Sequence, residues 1–87
     1  MRTKQELARE AYEASQELAR RAVATAEQLA AELAAARADY LAEPTAMKQA
    51  VCYGLTLKHG AALDTVKNTR ERIEHYRLAC EAEEVSK

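Results

Sequence analysis

The chain reads as all-α: an antiparallel hairpin of two long, coiled-coil-like helices, expected to pair with a second copy as a four-helix bundle. Three observations predict this. Ala, Glu, Lys, Leu and Arg make up about three-fifths of the 87 residues, the composition of long helices and coiled coils. The 2 Gly and 1 Pro leave almost no turn chemistry for a sheet protein. An 11-residue repeat runs through the first half: Gln5-Glu6-Leu7-Ala8-Arg9 recurs as Gln16-Glu17-Leu18-Ala19-Arg20, then in degraded form as Glu27-Gln28-Leu29-Ala30-Ala31. Eleven residues make three helical turns at about 3.67 residues each, so this period predicts a straight seam or one drifting weakly to the right.

The first helix is expected over about 3–42. Thr3-Lys4-Gln5-Glu6 has the spacing of a capping box, and nothing from there to Ala42 interrupts the helical pattern. Glu43-Pro44-Thr45 is the turn. Pro44 has no amide proton and disfavours helical geometry at Glu43, yet it suits the first turn of a following helix.

The second helix is expected over about 45–83. Met47, Val51, Leu55, His59, Ala62, Val66, Thr69, Ile73, Tyr76 and Cys80 keep steps of three or four throughout. Lys58-His59-Gly60 resembles a helix C-terminus, and a kink there is the alternative to one continuous helix. The continuous helix is preferred because the stripe crosses Gly60 without a phase shift. The acidic run Glu81-Ala82-Glu83-Glu84 opposes the helix dipole and is expected to fray.

Folding at Glu43-Pro44 pairs residues whose numbers sum to about 87. Tyr40 then meets Met47, Leu33 lies near Leu55, Leu18 near Thr69, and Leu7 near Cys80. Thr25 falls opposite Ala62 and Gln28 near His59, a small and polar middle layer. The whole chain is expected to be one helical-hairpin domain spanning 1–87.

Helix 1 carries two adjacent apolar stripes. Leu7, Ala11, Ala14, Leu18, Ala22, Thr25, Leu29, Leu33, Ala36 and Tyr40 form the one expected to face helix 2. The second runs through Ala8, Tyr12, Ser15, Ala19, Val23, Ala26, Ala30, Ala34 and Leu41. A single hairpin covers only one of them, and a chain this short buries little surface alone. Self-association through the second stripe, around Tyr12, Ala19, Val23, Ala26, Ala30 and Leu41, is the expected resolution. A different protein seated on that stripe is the alternative.

The hydrophobic fraction is 48%. Roughly half of it is alanine, while Leu, Ile and Val come to only about 16% of the chain, and Phe and Trp are absent. Such a composition argues against a deep core or a cofactor pocket. Cys52 and Cys80 are too few and too distant for a disulfide framework and read as reduced thiols. With His59 and His75 they lack the spacings that assemble a metal site, since there is neither Cys-x-x-Cys nor His at i, i+4. The carboxylates sit at helix-surface spacing. Glu17 with Arg21, and Lys67 with Glu71, read as i, i+4 ion pairs. No glycine-rich phosphate loop or strained nucleophile turn is present. No cofactor, no metal and no enzymatic activity are expected.

From Thr45 to Ala79 cations outnumber acids, and Lys67, Asn68, Arg70, Arg72 and Arg77 form a candidate partner or nucleic-acid face. Against nucleic acid stand the interleaved acids and a pI near 6.1. No apolar run reaches the roughly 18 residues of a membrane span, and the polar start Met1-Arg2-Thr3-Lys4 does not read as a signal peptide. A cytoplasmic location without membrane association is therefore expected. The expected role is a homodimeric interaction module that tethers, caps or blocks a protein partner. A dimeric RNA- or DNA-binding regulator is the alternative. The alanine excess, with Arg favoured over Lys, fits a GC-rich bacterial or phage genome, and a small bacterial, phage or plasmid accessory or inhibitor protein is the expected setting for such a module.

Overall fold

The computed structural model describes residues 2–85. It contains two α-helices, α1 (Lys4–Ala42) and α2 (Ala46–Val85). They fold back on each other into a rod-like hairpin measuring 65 × 17 × 15 Å.

Both helices begin on a threonine. The Thr3 hydroxyl accepts from the Glu6 amide at 3.1 Å, as the capping-box spacing predicts. The Thr45 hydroxyl accepts from the Lys48 amide at 3.2 Å. Pro44 therefore precedes the cap of α2 rather than occupying its first turn, and Thr45 takes the capping role. Lys48 then straddles the turn. Its ammonium lies 3.2 Å from both Asp39 and Glu43, tying the last turn of α1 to the first of α2.

α2 runs unbroken through Gly60, without the kink weighed for 58–60. A Cβ added at Gly54 or Gly60 would meet nothing within 4 Å. No close approach within this chain therefore requires either glycine. The expected fraying of Glu81–Glu84 is not observed, because α2 continues to Val85. Arg77 contributes there by pairing with Glu81 at 2.5 Å, and Cys80 and Glu83 stay half-buried.

The seam between the helices is read from burial. On α1 the buried and half-buried positions include Ala8, Tyr12, Ser15, Ala19, Ala22, Ala26, Leu29, Leu33, Ala36 and Tyr40. On α2 they include Lys48, Cys52, Leu55, His59, Ala62, Val66, Thr69, Ile73, Tyr76 and Cys80. Both sets advance by alternating steps of four and three, the heptad rhythm of a coiled coil. At the centre Ala22, Ala26 and Val66 form the buried cluster, with Val23 and Ala62 packed against it.

This corrects the expected packing in two respects. The seam follows seven residues rather than eleven, because two helices in continuous contact must share one repeat and α2 keeps a strict heptad pattern. The seam also departs from the expected stripe by one residue over the first half of α1, at Ala8, Tyr12, Ser15 and Ala19, and again at Ala26, while Ala22, Leu29, Leu33, Ala36 and Tyr40 keep their expected places. Leu18, Leu7, Thr25 and Gln28, expected opposite Thr69, Cys80, Ala62 and His59, are all exposed. Met47, expected against Tyr40, is 79% exposed, and Lys48 takes the seam position. The middle layer is consequently small and, His59 apart, apolar. Leu33, expected near Leu55, remains in the seam and is among the most buried side chains.

Among the described residues two polar side chains are buried, Ser15 and Thr69. Each donates its hydroxyl proton within its own helix, Ser15 to the Ala11 carbonyl at 2.8 Å and Thr69 to that of Val66 at 2.9 Å. They enter the seam without an unpaired donor.

Candidate interaction surface

Among the described residues only Ala22, Ala26, Leu33 and Val66 are buried apolar side chains, whereas nine large hydrophobic ones are exposed. The outside of the hairpin is therefore where a function would reside. The seam divides that outside into two long flanks and the outward backs of the helices.

One flank is marked by its threonines. Leu18, Arg21, Thr25, Thr65 and Arg72 line a groove of about 380 Å³ whose floor includes Ala22, Ala62 and Thr69. Heptad steps carry the same flank from Arg21 back to Ala14 and Leu7, and from Thr65 back through Lys58 to Val51. At the turn end Val51 and Met47 share a shallower groove with Ala36, Asp39 and Lys48. The opposite flank is marked by Val23, which with Ala30, Glu27, His59, Leu63 and Arg70 lines another groove. Toward the open end of the hairpin it continues as Gln16, Ala19, Arg20 and Ile73. Leu57 and Leu78, three heptads apart, lie on the outward back of α2.

The six residues expected to form a free interface do not share one free face. Ala26 is 7% exposed and packed in the cluster with Val66, so the hairpin itself occupies it. Tyr12 and Ala19 are half-buried at seam positions. Val23 is half-buried on its flank, Ala30 is exposed there, and Leu41 stands 78% exposed near the turn. The reason is geometric: a heptad seam crosses from one 11-residue stripe to the other along α1 and consumes part of each.

The candidate basic face is likewise divided. Arg70 belongs to the Val23 flank and Arg72 to the threonine flank. By helical phase Lys67 and Arg77 fall with Arg70, and Asn68 with Arg72. Arg77 is held between Glu74 and Glu81, which raises its pKa above the ordinary arginine value, chiefly through the hydrogen bond to Glu74. The same bond lowers the Glu74 pKa. Glu17 is lowered mainly by its hydrogen bond to Arg20, which lies 2.6 Å away, with Arg21 at 3.3 Å assisting. The expected Lys67–Glu71 pair is not formed, and Lys67, Arg70 and Arg72 keep no ion pair among the described residues.

Cys52 and Cys80 are half-buried free thiols. Among the described residues no three His, Cys, Asp or Glu side chains converge in a metal-binding arrangement. No described helix is long and apolar enough to cross a membrane.

Fold and surface together define a two-helix hairpin with a thin core and apolar flanks. Comparison with protein-family profiles, with curated proteins and with solved structures gave no match.

Proposed function

We propose that this protein is a non-enzymatic interaction module: a cytoplasmic hairpin that self-associates into a four-helix bundle and presents its remaining surface to a protein partner, which it tethers, caps or blocks. The observation carrying this reading is the exposed area. The chain exposes 6558 Å², whereas a compact monomer of 9.7 kDa would expose about 5,100 Å². The difference, about 1,400 Å², exceeds the roughly 800 Å² that each partner contributes to a standard interface. Exposed Leu, Met and Val side chains along the flanks supply apolar surface for such a contact.

The nucleic-acid alternative draws less support. Its basic residues lie on two flanks, and Arg77 is already engaged by carboxylates. Sedimentation equilibrium across micromolar concentrations tests the proposal. A mass of twice 9.7 kDa is expected. A single-chain mass at every concentration refutes self-association. Salt-sensitive retention on RNA, lost in an Arg70→Ala, Arg72→Ala variant, would favour the alternative.

A further inference from the structure

Resting on the self-association reading, we propose that the second copy docks on the threonine flank, the face carrying Leu7, Leu18 and Val51, and not on the Val23 flank. Charge separates the two faces. By heptad phase the Val23 flank carries twelve charged side chains, six on each helix, among them Arg20, Glu27, Arg70 and Arg77, while the threonine flank carries six, Lys4, Arg21, Glu32, Asp39, Lys58 and Arg72. Interface cores are depleted of charge, because each ion must be stripped of water. The Val23 flank also holds its charges in place, with Arg77 bridging Glu74 and Glu81. Desolvating that cluster would cost more than its apolar neighbours return.

The threonine flank has the complementary properties. Its large side chains stand at both ends, Leu7 and Leu18 toward the open end and Val51 and Met47 beside the turn, each about half or more exposed. Between them lie small residues, Ala14, Thr25, Ala61 and Thr65, over which a second backbone can approach closely. A two-fold axis along the rod sets α1 of each copy antiparallel to α2 of the other. In that arrangement Glu32 lies within a helical turn of the partner's Lys58, a complementary pair; of the two arginines on the groove, Arg21 is paired with Glu17 of its own helix and Arg72 is exposed. The chain as a whole exposes about 1,400 Å² more than a compact monomer of its mass, above what one partner gives to a standard interface.

The test compares three variants of the full chain, Leu18→Glu, Val51→Glu and Leu63→Glu, by sedimentation equilibrium, with circular dichroism verifying that the helices persist. Leu18 and Val51, and Leu63 on the Val23 flank, are exposed in the hairpin, so charging them leaves its core untouched. Leu18→Glu and Val51→Glu are each expected to raise the self-dissociation constant by about 30-fold or more, the consequence of burying an unpaired carboxylate. Leu63→Glu should retain the two-chain mass. Dissociation by Leu63→Glu with Leu18→Glu and Val51→Glu unaffected would overturn the assignment of the face. A wild-type chain that never exceeds single-chain mass would instead overturn the self-association on which it rests.

Discussion

Ala26 packs against Val66 at the middle of the hairpin, and this contact fixes which face of α1 turns inward. With Ala26 inward, Ser15, Ala22 and Leu33 follow into the seam and Leu18 is carried out of it. Turning α1 by one residue would bring Leu7 and Leu18 inward, but it would also bury Arg21, Gln28 and Glu32 and expel Leu29 and Leu33.

Val66→Ala should destabilise the hairpin by about 1–3 kcal/mol, the loss for truncating a buried aliphatic side chain in a core that cannot collapse around it. Leu57→Ala, on the outward back of α2, should change stability by less than about 0.5 kcal/mol. Urea unfolding at one fixed chain concentration makes the comparison, since association would otherwise shift both midpoints. Equal losses from the two variants would contradict the inward placement of Val66 and the outward placement of Leu57.

Gly60→Ala should stabilise the protein by about 0.5–1 kcal/mol, because alanine restricts the unfolded chain and favours helix. The substitution meets nothing within 4 Å. An upward shift in Tm is the expected outcome; a downward shift would mean that something outside this chain packs on Gly60.

Thr45→Ala should cost about 1 kcal/mol by leaving the first amides of α2 without their side-chain acceptor. Thr45→Ser should restore most of it, since the hydroxyl rather than the methyl accepts from Lys48. Thermal melts of the two variants separate a capping role from simple packing.

Acid should loosen the helix surfaces in a defined direction. Glu17 and Glu74 have folded-state pKa values below the ordinary 4.5 because arginines hydrogen-bond their carboxylates. Their contribution is therefore complete above that value and disappears as pH falls through the depressed one. Both carboxylates are exposed, so the change in helicity should be small and further weakened by salt. Circular dichroism of a Glu17→Gln, Glu74→Gln variant across the same pH range should show a flatter profile than the natural chain.

Much of the fold is legible from local chemistry. Thr3 announces the start of α1, Pro44 the turn, and the spacing from Leu55 to Cys80 the buried face of α2. The register is not legible in the same way. Two adjacent stripes on α1 offer nearly equivalent apolar faces, and local pattern has no means of ranking Leu18 above Ala19 as the inward residue. What decides is the partner helix, whose heptad spacing selects the heptad path on α1. The candidate surface inherits that ambiguity: Ala26 and Leu18 exchange roles between core and exterior when the register moves by one residue. The capping role of Thr45 was signalled by its place after Pro44, while the Lys48 bridge to Asp39 and Glu43 required the turn to be closed before it could be seen.

The central claim is that two such rods lie side by side. Small-angle scattering with an absolute mass scale measures it directly. Side-by-side pairing at a helix spacing of about 10 Å doubles the mass while raising the radius of gyration only slightly above the single-chain 19.3 Å. The account predicts a two-chain mass with a longest dimension still near 65 Å. A single-chain mass, or a two-chain particle much longer than one hairpin, would contradict it.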